Sequence, residues 1–495
     1  MPAANPLGCS AALAARTTRV VRAGVTVVVL LALTGSRWVW AAPEPPAPGS
    51  PAVAAPAKPA EPPAPGPAAP APAEAAQPSE PKPPAKPKYL EGSASVDKSY
   101  EKTWNKVRSE VTKILASGKF DAGQQQLLEN YYRRWVLPRM TIEENYAQLP
   151  KLRNDLAIEL RRASSGPPLT TAVTLILETM TKVAKANFHP AVRYNAMLLI
   201  GDLNERESAN PTIQPPVPLA AALPVMLEAL TDPKQIDVVK IGALVKLERH
   251  VRLGIADSQW VTQQLIPALV ALAETETPPA GRTPDGHAWM RCKAVELLGL
   301  LRTVGPENRV LKTLVRLVGD RKASLLARLA AARALGNLDF TGATGSPSEA
   351  GTALGQLALN ACGAEMDATD QLITSRRNLM ESLYSVLIGL GTDEQRGVRG
   401  WGREPPHKDF LDKLNERIRA LLAPFDTKDI EDEELFKEVS AGVTALATFL
   451  QNAPGAAPPA EPAKPAAEPA KPAAEPAKPA AEPAKPAAEP AKPAA

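Results

Sequence analysis

The chain has 495 residues, yet 31 of its 53 prolines fall in two flanks, Pro43 to Pro87 and Pro454 to Pro493, so only a central stretch of roughly 360 residues has globular composition. The formal charge of +4 comes from the first 41 residues, which carry Arg16, Arg19, Arg22 and Arg37 and no acid; the remainder sets 53 bases against 53 acids. That balance argues against nucleic acid as a partner, because such binders need a basic excess to displace counterions from phosphates, and an aromatic content of 4% disfavours a β-sandwich.

In chain order, Arg16, Arg19 and Arg22 form a positive segment ahead of an apolar run from Ala23 to Gly35, and Val39-Trp40-Ala41 offers small-enough residues for cleavage, the pattern of a signal peptide over 1–41. The uncharged span between Arg22 and Arg37 is 14 residues. As helix that is ~21 Å, short of the ~30 Å hydrocarbon core. Export to the periplasm or cell envelope is the expectation. An uncleaved inner-membrane signal anchor, with Trp38 and Trp40 at the interface, is the alternative and the only route to a membrane. Cys292 and Cys362 remain after cleavage. Two cysteines in so long a chain are no disulfide framework, and whether they pair is left open.

Residues 42–88 read as a disordered Pro/Ala-rich linker, extended and polyproline-biased, reaching up to ~140 Å at ~3.1 Å per residue. The tail over 453–495 is also expected to be disordered and ends in five copies of EPAKPAA, each with a Glu and a Lys three residues apart, as in Glu461 and Lys464. With three residues per polyproline turn these charges lie along one edge and cancel. Both flanks suit spacers in contact with the cell wall, or entropic bristles with no partner.

Between the flanks the period becomes helical. Residues 89–168 read as an N-terminal helical cap, with helices at Val96–Ala116 and Leu152–Arg162 and breaks at Gly118 and Gly166-Pro167. From Leu169 one helical phrase recurs: VRYNAMLLIGDL (192–203), VKIGALVKLERH (239–250), MRCKAVELLGLL (290–301) and ARLAAARALGNL (327–338). Aligned, these place Arg193, Lys240, Arg291 and Arg328 at one position. Ala196, Ala243, Ala294 and Ala331 follow three residues later, and Gly201, Gly299 and Gly336 eight residues after the base, with Glu248 in place of glycine in the second copy. Apolar helices precede each copy, at Thr171–Ala186, Leu219–Leu230, Val261–Ala273 and Val310–Val318. A further pair, Ala350–Cys362 and Arg376–Leu390, follows, with Ser346-Pro347-Ser348-Glu349 as an N-terminal capping box. Lys408–Leu422 and Glu433–Leu450 then form a C-terminal cap over 392–452.

His189-Pro190-Ala191-Val192-Arg193 followed by Ala196 and Gly201 resembles the second helix of HEAT/armadillo-type repeats, with His in place of the usual Asp. The resemblance covers about 169–391. It implies an all-α fold, an α-solenoid of about five HEAT-like helix pairs between helical caps, and is silent about ligand. Stacked repeats present a long binding surface. The expected function is therefore an exported, non-catalytic protein-binding scaffold, partner unidentified. The alternative is a helical-repeat enzyme acting on an envelope polymer.

Candidate contacts are few. The aligned bases read either as a basic stripe on the concave face or, as expected here, as a structural ladder in which each base bonds an acid or a helix end in the next repeat. Gly391 to His407 sets Arg396, Arg399 and Arg403 around Trp401 between glycines, an aromatic and guanidinium surface suited to a partner, or else a connector whose Trp enters the core. Thr277–Gly286, ahead of His287 and Trp289, has a weaker claim. His189, His250, His287 and His407 show no ligand spacing, and there is no HExxH, CxxC pair, GxSxG or glycine-rich phosphate loop. No catalytic residue, metal or cofactor is expected.

Overall fold

The structure, a computed structural model, describes residues 88–90, 96–208, 210, 212–427 and 429–453. The expected signal segment lies outside these residues, as do the Pro/Ala linker apart from Lys88 and the tail apart from Ala453. The described chain is mostly helical, with two short hairpins as its named strands. None of its helices is long and apolar enough to cross a membrane.

The N-terminal part is built on aromatics. Helix α1 (Ser99–Ser117) ends at Gly118, whose positive φ terminates it. Helix α2 (Ala122–Tyr131) opens with a full capping box between Asp121 and Gln124, and Trp104 of α1 stacks on Tyr131 of α2, ring centroids 5.6 Å apart. A π-helical turn, Tyr132–Val136, continues α2 toward Pro138. Proline cannot donate to the preceding turn, and widening the helix there absorbs the missing bond. Helix α3 (Leu149–Arg161) carries Glu159 into this core. Its carboxylate accepts from Tyr131 Oη at 2.9 Å, Tyr132 Oη at 2.8 Å and Arg108 Nε at 3.4 Å. A buried charge with three donors is tolerated where a bare one is not.

Five helix pairs follow. They are α4 (Pro167–Lys185) with α5 (Pro190–Asp202), α6 (Ala222–Thr231) with α7 (Asp237–Leu253), and α8 (Ile266–Glu274) with α9 (Pro284–Leu300). The last two are α10 (Arg309–Gly319) with α11 (Leu325–Asn337), and α12 (Pro347–Glu365) with α13 (Arg376–Leu390). Each pair packs internally, and the second helices pack side by side in chain order, α3 on α5, then α7, α9, α11 and α13. Helix α14 (His407–Leu422) covers α13, and α15 (Asp432–Gln451) packs on α14 and α12. A π-helical turn at Val261–Leu265, again just ahead of a proline, leads into α8.

Expected helix limits hold within a few residues, and α13 matches at both ends. Only part of the expected box at α12 forms: Ser346 Oγ accepts from Glu349 N at 3.3 Å, and no return bond from the Glu349 carboxylate is seen among the described residues. At α5 the His for Asp exchange still caps the helix, because His189 Nδ1 accepts from Ala191 N at 3.2 Å. Two connectors fold as hairpins that periodicity did not reveal: β1 (Asn204–Arg206) with β2 (Val217–Pro218), and β3 (Met366–Asp367) with β4 (Leu372–Ile373). Cys292 of α9 and Cys362 of α12 are both buried free thiols. Burial pushes their pKa values up to about 11 and about 12, so neither is a reactive thiolate at neutral pH.

The recurring glycines mark where second helices cross. A methyl group on Gly299 would lie 2.7 Å from Ala334 Cα of α11, and one on Gly336 would lie 2.0 Å from Ile388 O of α13. A methyl on Gly201 would meet Lys246 Cβ of α7 at 2.2 Å. Glycine is required at these joints because no side chain fits between the helices. At Glu248 the joint is different: the carboxylate reaches Lys293 Nζ of α9 at 2.9 Å and Arg252 at 2.7 Å, and α7 and α9 touch along less of their length than the joints beside them.

Candidate functional site

The four residues expected to meet a partner lie around a short helix, Gly397–Trp401, rather than in an open loop. Trp401 is half-buried and stacks on Phe340, ring centroids 5.3 Å apart and planes 10° apart. Arg399 is 11% exposed and grips Asp412 of α14 through Nε at 2.9 Å and a terminal nitrogen at 2.8 Å. Arg403 donates to Gln395 O at 3.1 Å, while Arg396, at the surface, stands 3.7 Å from Asp393. The arrangement thus divides the four. Arg399 and Trp401 fasten the segment to α14 and to the α11–α12 connection; Arg396 and Arg403 remain at its outer side.

The aligned bases have mostly a common task. Arg193 Nε donates to Ala184 O at 3.0 Å, Arg291 Nε to Ala273 O at 3.0 Å and Arg328 Nε to Val318 O at 3.0 Å. Each acceptor lies in the last turn of the first helix of the same pair, where carbonyls lack helical partners. The three arginines therefore bind a helix end of their own pair, and among the described residues Arg193 alone also reaches the next pair, donating through a terminal nitrogen to Gln235 Oε1 ahead of α7. Lys240 makes no such bond among the described residues. A lysine ammonium lacks the forked reach of guanidinium.

This ladder orients the opposite face. A residue two positions before the base is turned by ~200° about the helix axis at ~100° per residue, and so points away from the first helix. That position holds Ala191, Val238, Trp289 and Leu326 in successive copies. Ala191 is half-buried, but Val238 and Trp289 are 37% exposed and Leu326 53%. Three adjacent second helices, α7, α9 and α11, each display one apolar side chain at an equivalent place. Lys293 Nζ sits 6.0 Å from the Trp289 ring centroid and is itself held by Glu248 and Glu296, at 2.9 and 2.8 Å. The cation beside Trp289 is thus charge-paired. Tyr384 of α13 is a further exposed aromatic, at 48%.

The sequence pointed to Trp289 only as a neighbour of the Thr277–Gly286 loop. That loop is structural: Arg282 grips Asp237 of α7 at 2.7 and 2.8 Å and donates to His287 Nδ1 at 3.1 Å, while His287 Nε2 donates to Thr275 O at 2.8 Å. Val238 and Leu326 were missed. The signal was present in the aligned copies, two residues ahead of each base. Among the described residues no His, Cys, Asp and Glu cluster could hold a metal ion. No protein-family model matches the chain, and no curated protein matches it significantly.

Proposed function

We propose that this chain is an exported, non-catalytic protein-binding scaffold of the cell envelope, whose five pairs form a HEAT-like α-solenoid between helical caps. The Pro/Ala flanks serve as spacers. The chemistry that best fits the exposed row is the apolar face of an amphipathic helix on a protein partner. The observation that carries this reading is the repetition of one exposed apolar side chain, Val238, Trp289 and Leu326, at the same place on three adjacent helices.

Packed helices lie ~8–10 Å apart, close to the ~10.5 Å that seven residues of partner helix advance at ~1.5 Å per residue. One anchor every seven residues keeps to a single apolar stripe. Solitary exposed apolar residues are common and mean little; three in register are a surface. Large aromatics in such rows carry most of the binding free energy.

The test uses the mature chain with photo-crosslinkers placed at positions 238, 289 and 326 in turn. The expected result is crosslinks to one partner protein at residues about seven apart in a helical segment. A Trp289→Asp, Leu326→Asp double variant should weaken that complex by about 30-fold or more, ~2 kcal/mol. Crosslinks scattered over an extended peptide, none at all, or undiminished binding by the double variant would overturn the reading.

A further inference from the structure

A cleft of about 360 Å³ opens where α3, α5 and α7 meet the β1–β2 hairpin. It shares only α7 with the apolar row, through Arg249, and its walls are of another kind. Leu160, Leu199 and Leu203 supply an apolar side, with Arg161, Arg249 and Glu207 among the polar lining.

The charges around the cleft differ in how far they are committed. Asp202 is neutralised by Lys246 Nζ at 2.5 Å and approached by Arg153 Nε at 3.7 Å. Arg153 also donates to Asn195 Oδ1 at 2.8 Å. Arg249 is anchored on one side, donating to Gly201 O at 3.0 Å and to Asn204 Oδ1 at 2.5 Å. Asn204 in turn donates to Glu207 Oε1 at 2.9 Å, so this chain of bonds holds the Arg249 guanidinium and the Glu207 carboxylate in fixed positions. Two groups are left over. The second oxygen of Glu207 accepts no hydrogen bond among the described residues, and the Arg161 side chain forms neither a hydrogen bond nor an ion pair among them.

A fixed, half-buried carboxylate with a free oxygen, an uncommitted guanidinium and an apolar wall facing one cavity specify a ligand by complement. We propose that this cleft binds a small zwitterion of amino-acid to dipeptide size, its carboxylate on Arg161 and Arg249, its ammonium on Glu207 and an aliphatic side chain against Leu160, Leu199 and Leu203. A guanidinium pairs with a carboxylate through two parallel bonds, and a cavity of this size lies within the range of small-molecule sites. Burial holds the Glu207 carboxyl above its ordinary range despite Asn204, Arg249 and Arg161. An ammonium brought to the free oxygen offsets that penalty. A simple anion would satisfy the arginines but leave Glu207 unmatched.

The proposal is tested by calorimetry on the mature full chain at neutral pH, with L-leucine and alanyl-leucine as probes. N-acetyl-leucine lacks the ammonium, leucinamide lacks the carboxylate, and inorganic phosphate is a bare anion. At least one zwitterion should bind with millimolar or tighter affinity, and the blocked analogues at least tenfold more weakly. Arg161→Gln, at an exposed position, and Glu207→Gln should each weaken the zwitterion at least tenfold, with unchanged thermal unfolding showing that the fold is intact. No binding by either zwitterion, equal binding by N-acetyl-leucine or phosphate, or full affinity in the Arg161→Gln protein would overturn it.

Discussion

The joint between α9 and α11 and the joint between α7 and α9 solve the same packing problem in opposite ways. At the first, Gly299 lets the Ala334 backbone approach until no β-carbon could fit. At the second, Glu248 holds the helices in looser contact and bridges them to Lys293. A glycine joint draws on dispersion between close backbones, which falls away within an ångström of separation. A charged joint draws on Coulomb attraction at a partly wetted surface, which is weaker but tolerates displacement. One repeat unit therefore provides both a rigid and a compliant connection by exchange of a single residue.

The comparison breaks first at the glycines. In an ordinary helix Gly→Ala gains up to about 1 kcal/mol. Gly336→Ala should instead destabilise the protein by about 2–4 kcal/mol, read as a lower urea midpoint, because the methyl would meet Ile388 O at 2.0 Å. A stabilised variant would show that the close joint is not under steric control.

Next in size is a proton-dependent effect at the α5–α7 joint. His250, buried on α7, contacts Gly201 O at 3.2 Å, and burial, with Arg249 next in weight, depresses its pKa to about 4 from 6.5. The unfolded chain thus binds the proton more readily than the folded one between these values. The stability His250 contributes is whole above pH 6.5 and is lost progressively as pH falls toward about 4. The loss has an upper bound of roughly 3 kcal/mol for this group. Wild type should lose more stability between pH 7 and 4.5 than His250→Gln, whose amide can still donate to Gly201. Equal losses would remove this histidine from the account.

The smallest effect is expected at the charged joint. Glu248→Ala should cost no more than about 1 kcal/mol, shrinking further in 1 M salt, since Lys293 keeps Glu296 at 2.8 Å. A cost as large as that of Gly336→Ala would erase the distinction between the two kinds of joint.

Much of this was legible in the sequence for local reasons. Gly391 after α13, Pro347 at the start of α12 and Gly118 after α1 punctuate helices through backbone geometry alone. The aligned alanines and glycines marked close approach, and Glu248 stood out as the odd member before its partner was known. The hairpin at 204–218 was not legible, because its strands are two and three residues long and carry no alternation to read. The partners of Trp401 and Arg399 were equally hidden, since Phe340 lies 61 residues from Trp401 and Asp412 13 from Arg399, and no short-range pattern links them. The apolar row and the zwitterion cleft depend on which helix faces are left uncovered, a property of neighbours and not of any one helix. Glu207 and Arg161, 46 residues apart, line one cleft only because α3 packs on α5.

As a measuring device, the Val238–Trp289–Leu326 row would have one division engraved and one adjustable. The interval from Trp289 to Leu326 spans the glycine joint and keeps its length under load. The interval from Val238 to Trp289 spans the ion pair, where an ångström of stretch costs little and salt loosens the coupling. On the proposed docking, a partner helix whose repeat is slightly too long or too short would still be accommodated, with the misfit taken up between the first two anchors. Flexure of the stack would likewise concentrate there, making ionic strength a setting for the pitch the protein accepts.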